Sequence, residues 1–93
     1  MEIANKTILS ERQKIDIIDT SIITLLDLRI RAVGEIGRIK RIKNIPILDK
    51  SREEQIIKKI DSTSTNSNLI IPIFHEIMNQ SKKLQNQEKW KSA

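Results

Sequence analysis

The sequence has no cysteine, one histidine, two glycines, two prolines, one phenylalanine, one tryptophan and no tyrosine among its 93 residues. The lack of cysteine excludes disulfides, thiolate metal sites and cysteine nucleophiles. The single histidine, His75, cannot build a His-rich metal site or a His-paired triad without an unusual partner. So few turn residues argue against an all-β chain. Two aromatics leave no platform for stacking bases. No apolar run approaches the roughly 18 residues that a membrane-crossing helix needs. Met1 to Ser10 lacks the basic start and apolar middle of a secretion signal, so the expected address is the cytoplasm.

What is present describes one small domain. Hydrophobic residues make up 38% of the chain and charged residues 31%, a globular balance, and a single domain over residues 1–93 is expected. A chain this short buries only roughly 60 to 65% of its unfolded surface, so support from a partner chain is expected once disulfides and metal are set aside. Seventeen Lys and Arg against twelve Asp and Glu leave a net charge of +5, which favours an anionic partner. The sign alone does not choose between nucleic acid, an anionic membrane surface and a small polycarboxylate. Twenty residues are isoleucine, whose β-branching gives only middling helix propensity, so periodicity must decide between strand and helix.

That periodicity is helical. Ile15, Ile18, Ile22, Leu25, Leu26, Val33, Ile36 and Ile39 recur at 3–4 spacing with no proline from Ile8 to Ile42, predicting one long helix over about 8–42. Ser10 with Gln13, or else Thr7, is placed to cap its start, and Asn44 with Pro46 marks its stop. After an extended connection from Ile45 to Leu48, Asp49 or Ser51 can cap a short helix over about 50–61, with Ile56, Ile57 and Ile60 inward. The polar segment from Asp61 to Asn68 reads as a loop. A medium helix over about 69–90 follows, with Pro72 expected in its first turn and Ile73, Phe74, Ile77, Met78 and Leu84 on one face. The fold class is therefore all-α, with one long, one short and one medium helix.

A helix of about 35 residues is roughly 52 Å long, against a radius of gyration of roughly 12 Å for a compact chain of this size. Two shorter helices cannot cover its whole apolar stripe. An intertwined helical homodimer is the expected solution.

Charged residues interrupt that stripe. Taking Ile15, Ile22 and Ile36 as one heptad position, the member between Ile22 and Ile36 is Arg29. On an ideal helix Lys40 lies about 20° around from Arg29 and about 16 Å along. Interior cations demand carboxylates or an anionic ligand, whereas long stems crossing an apolar surface to water demand neither. Gly34 and Gly37 leave room for a ligand or a crossing helix. Arg38, Lys40, Arg41 and Lys43 together suit the negative end of a helix dipole and read as a solvated terminus. Lys82, Lys83, Lys89 and Lys91 read as a solvated face, His75 as a surface or packing residue, and Trp90 as a cover for one edge of the bundle.

Taken in order, however, the unusual positions form a pattern. Arg12, Ile15, Asp16 and Asp19 are followed by Leu25-Leu26-x-x-Arg29, Val33-x-x-Ile36-Gly37-x-x-Lys40 and Pro46-Ile47-x-Asp49-x-x-Arg52-Glu53. Phe74 and Ser81-x-x-x-Gln85 close it. This chain resembles the AroQ class of all-helical chorismate mutases from about Ser10 to Gln87, with no departure at a family functional position. The resemblance implies an isomerase that rearranges chorismate to prephenate in phenylalanine and tyrosine biosynthesis. That reaction is a one-substrate pericyclic Claisen rearrangement without metal or cofactor.

By the same resemblance Lys40 and Gln85 are the catalytic residues, donating hydrogen bonds to the ether oxygen as negative charge grows there. Arg29 grips a substrate carboxylate, and Arg12 reaches in from the other subunit of the homodimer. Glu53 with the Asp49 region accepts from the ring hydroxyl, while Arg52 and Ser81 complete the polar lining. Ile36, Ile56 and Met78 form the apolar walls, a role nearly the same as ordinary core. The partner is thus chorismate, a small dicarboxylate, with no nucleic acid and no membrane expected.

Three other readings remain. An isochorismate-pyruvate lyase of the same fold shares a cationic pocket, although Asp49-x-x-Arg52-Glu53 favours the mutase. A basic helical nucleic-acid module is permitted by charge but lacks a helix-turn-helix signature. A non-catalytic regulatory module is also open, as is association with another aromatic-pathway enzyme.

Overall fold

The structure is a computed structural model that describes residues 7–87. Its described residues form three helices, α1 (Ile8–Ile42), α2 (Lys50–Thr63) and α3 (Ser67–Gln85), with no strand among them. The chain divides into two units, Met1–Arg31 and Ala32–Ala93.

In the first unit, α1 begins at a reciprocal cap made by Thr7 and Ser10. The Ser10 N–H donates to Thr7 Oγ1 at 3.0 Å and the Thr7 N–H to Ser10 Oγ at 3.1 Å, so two otherwise unpaired donors are satisfied. Of the two candidate starts, Thr7 is the cap and Ser10 lies inside the helix. Glu11 in the first turn complements the positive end of the dipole. The Thr20, Ser21 and Thr24 hydroxyls donate back to carbonyls one turn earlier, which removes their competition with the helix backbone. Most described apolar residues of this unit stay open, Ile15 being 51% exposed, Ile18 54% and Leu25 63%, while Leu26 is half-buried.

The second unit begins within α1 and contains the core. Val33, Ile60 and Met78 are its buried hydrophobic residues, one from each helix, beside buried Gly34 and Gly37. α1 stops where Asn44 enters the left-handed region at φ 56°, a conformation that asparagine tolerates better than most side chains. The Ile45 N–H then reaches back to the Lys40 carbonyl at 2.7 Å and the Asn44 N–H to the Arg41 carbonyl at 3.2 Å, the two bonds of a Schellman ending. Pro46 prevents continuation.

Asp49 caps α2, its carboxylate accepting from the Arg52 N–H at 3.0 Å. α2 runs two residues beyond the expected end, because the Ser62 and Thr63 hydroxyls both donate to the Lys59 carbonyl instead of breaking the turn. The polar loop shrinks accordingly. The Asn66 carbonyl accepts from the Leu69 and Ile70 N–H groups, and α3 starts at Ser67 rather than Leu69. Pro72 consequently lies inside α3 and not in its first turn. The exposed Asn68 carbonyl loses the N–H that a residue other than proline would have offered it. α3 ends at Gln85, where the Asn86 N–H bonds back to the Lys82 and Lys83 carbonyls. The expected continuation to Trp90, together with Lys89 and Lys91, lies outside the described residues. α2 and α3 pack on each other.

Candidate functional site

The carboxyl-terminal end of α1 approaches that of α3 because Gly37 has no side chain. A Cβ at Gly37 would stand 2.9 Å from Gln85 Cγ, 3.2 Å from its Cβ and 3.4 Å from its Cα. A methyl group there would press on the root of the Gln85 side chain, whose Cβ no rotamer change can move. The room that Gly37 leaves is occupied by a crossing helix, one of the two uses its sequence position suggested.

Beside this close approach lies a cleft of about 390 Å³ lined by Gly37, Lys40, Arg41, Ile47, Gln85 and Asn86, with Asn44 to Pro46 closing one side. Volumes of roughly 300 to 1,000 Å³ are usual for small-molecule sites. Two donors named from the sequence, Lys40 and Gln85, face this one cleft. Lys40 is half-buried, and its Nζ donates to the Ile47 carbonyl at 2.9 Å, fixing both the ammonium and the connection between α1 and α2. An ammonium has three N–H groups, so this bond leaves two. Gln85 Nε2 donates to the Val33 carbonyl at 3.5 Å, while Gln85 Oε1 is buried without a hydrogen-bond partner.

The basic cluster at the end of α1 therefore does not behave as one solvated terminus. Lys40 and Arg41 are half-buried in the cleft wall, whereas Arg38 is exposed and turned along α1 to Glu35. The Arg38 hydrogen bonds lower the Glu35 pKa, and those same bonds raise that of Arg38. Arg38 is thereby neutralised on the helix surface.

The first turn of α2 does not line this cleft: Glu53 and Lys82 line a separate pocket beside Pro72, His75 and Met78. Asp49 is engaged as the cap, and Arg52 Nη1 donates to Gln55 Oε1 at 3.4 Å. Glu53 is half-buried and pairs with Lys82 of α3, Nζ to Oε2 at 3.0 Å. Lys82 is thus no part of a solvated face: it is half-buried, while Lys83 beside it is exposed. The sequence did carry a signal for it, since Met78, Lys82 and Gln85 stand four and three residues apart and share one helical face.

The remaining predicted residues fall as follows. Met78 is 5% exposed and Ile56 half-buried, whereas Ile36 is 46% exposed. Ser81 is half-buried, with its hydroxyl donating to the Ile77 carbonyl at 2.8 Å, and has further interactions. In the first unit Arg12 is exposed, while Arg29 is half-buried and engaged. His75 is exposed beside Glu53 and Met78 in a groove between α2 and α3. No cluster of three His, Cys, Asp or Glu residues suited to a metal ion occurs among the described residues. No helix among them is long and apolar enough to cross a membrane.

Neutral and cationic donors line a cleft between the ends of two helices. Such donors can offer oriented hydrogen bonds to a small, oxygen-rich anion. The family model for chorismate mutase type II matches residues 11–86, and the chain belongs to that family. Comparison with curated proteins and with solved structures returns no match.

Proposed function

We propose that the protein is a chorismate mutase, isomerising chorismate to prephenate on the route to phenylalanine and tyrosine. Membership of the family supports the activity. The observation that carries the reading is the placement of Lys40 and Gln85 on one cleft, held there by the Ile47 carbonyl and by the gap at Gly37. In the rearrangement a carbon–oxygen bond breaks while a carbon–carbon bond forms in the same molecule, so no group is transferred to the protein. The ether oxygen gains negative charge as its bond lengthens. Donors aimed at that atom bind the transition state more tightly than the ground state.

Lys40 supplies one such donor through its remaining ammonium N–H groups. Gln85 supplies the other by turning Nε2 away from its long, 3.5 Å bond to the Val33 carbonyl. Arg29, and Arg12 from a second copy of the chain, bind the two carboxylates. Arg52 and Ser81 add polar lining, and Glu53 with the Asp49 region accepts from the ring hydroxyl. Ile36, Ile56 and Met78 hold the reactive conformer in shape.

A second copy is supported by the open apolar face of the first unit, where Ile15, Ile18, Ile22 and Leu25 are all about half exposed or more. An apolar stripe of that kind is covered when two long helices pair. The reading places the enzyme in the cytoplasm, leaves docking onto another aromatic-pathway enzyme open, and needs no metal or cofactor.

The test is incubation of the pure protein with chorismate and, separately, with isochorismate. Prephenate from chorismate is expected. Pyruvate from isochorismate with no prephenate would make the protein a lyase of the same fold. Turnover of neither would leave a regulatory module.

A further inference from the structure

The Lys82–Glu53 ion pair joins two helices, whereas Lys14–Glu11 and Arg38–Glu35 each lie within a single turn of α1. It is also less exposed than those two, at 36% and 30% for its two side chains. Lys82 sits on the inner face of α3 between buried Met78 and Gln85, the residue packed on Gly37. Its backbone is fixed too, because its carbonyl accepts from the Asn86 N–H at 3.2 Å and from Asn86 Nδ2 at 3.1 Å. Glu53 is equally anchored, its N–H donating to the Asp49 carbonyl at 3.1 Å in the first turn of α2.

We propose that Lys82 is a positioning residue for the reaction, holding the Glu53 carboxylate as the acceptor for the ring hydroxyl of the substrate. The proposal rests on the mutase reading given above. A half-exposed pair contributes little to stability, so holding two helices together is a weak reason for its presence. Orientation is a stronger one. A glutamate side chain has three rotatable bonds, and an unpaired one at a helix start turns to water. With Oε2 bound to Lys82, Oε1 remains as an acceptor of fixed direction. Lys82 also offsets the carboxylate's charge, which would otherwise repel an anionic substrate. It touches no reacting atom and acts through Glu53.

The experiment measures kcat and KM for chorismate with the full chain and with Lys82→Met, Lys82→Arg, Glu53→Gln and the Lys82→Met/Glu53→Gln double variant, alongside thermal unfolding. Lys82→Met is expected to lower kcat/KM roughly three- to tenfold with little change in Tm, the size of one weakened hydrogen bond to a charged group. Lys82→Arg restores most of the loss. In the Glu53→Gln background, replacing Lys82 changes nothing further. Equal losses in both backgrounds, or a Lys82→Met enzyme as active as the parent, overturn the proposal while the mutase reading stands. Absence of turnover by the parent chain overturns both.

Discussion

Replacing Gly37 by alanine separates stability from activity in a way the geometry dictates. The substitution should help the helix itself, since alanine inside a helix is favoured over glycine by roughly 0.5 to 1 kcal/mol. Against this stands the approach of α3: the new Cβ would lie 2.9 Å from Gln85 Cγ and 3.4 Å from its Cα. A rotamer change could swing Cγ aside, but Gln85 Cβ, 3.2 Å away, yields only if the end of α3 moves with it. Overpacking of this sort costs roughly 1 to 3 kcal/mol, so the net change in stability should be small or unfavourable by about 2 kcal/mol. Activity should fall more. A donor misplaced by about 1 Å can cost on the order of a hundredfold, and Gln85 is displaced directly. Steady-state kinetics on chorismate should therefore show a kcat at least roughly tenfold lower, with a smaller change in KM. A Gly37→Ala protein with a raised Tm and unchanged kcat would refute the claim that this close approach places the amide.

Other expectations follow from the same geometry. Because the Gln85 amide is neutral, kcat should stay nearly flat from about pH 6 to about pH 8. Gln85→Glu reverses this: a carboxyl group donates only when protonated, so activity should rise as pH falls, and a flat profile would argue against Gln85 as a donor. Asp49→Ala removes the cap of α2 and should cost about 1 kcal/mol, visible as a lower Tm, whereas an unchanged Tm would mean that the Arg52 N–H finds water equally well. Mixing Arg12→Ala with Lys40→Ala chains should restore part of the activity, since one composite site per heterodimer would be whole. No recovery after demonstrated subunit exchange would count against a shared site.

The helices were readable from sequence where a single physical signal dominated. The 3–4 apolar repeat and the Asn44–Pro46 stop place α1 at Ile8–Ile42, and Asp49 caps α2 as its position suggested. Boundaries failed where polar residues have two uses. Ser62, Thr63 and Ser67 look like loop formers because their hydroxyls compete for backbone bonds, yet in place they extend helices, and Pro72 comes to lie inside α3 as a result. Ser10 was ambiguous with Thr7 for a related reason, since both hydroxyls take part in the same reciprocal cap. At the candidate site, the likeness to the mutases singled out Lys40 and Gln85, but no spacing rule says that a backbone carbonyl at Ile47 restrains the lysine. Lys82 was hidden by composition: lying in a lysine-rich stretch, it read as solvent-facing until α2 brought Glu53 against it.

The most direct test of the account compares the parent chain with Lys40→Ala and with Gln85→Leu, following loss of chorismate ultraviolet absorbance and identifying the product. Prephenate formation by the parent is predicted, with each variant reduced roughly a hundredfold or more in kcat/KM while still folded, as expected when a transition-state donor is removed. Parent-level turnover by either variant would contradict the role given to the cleft.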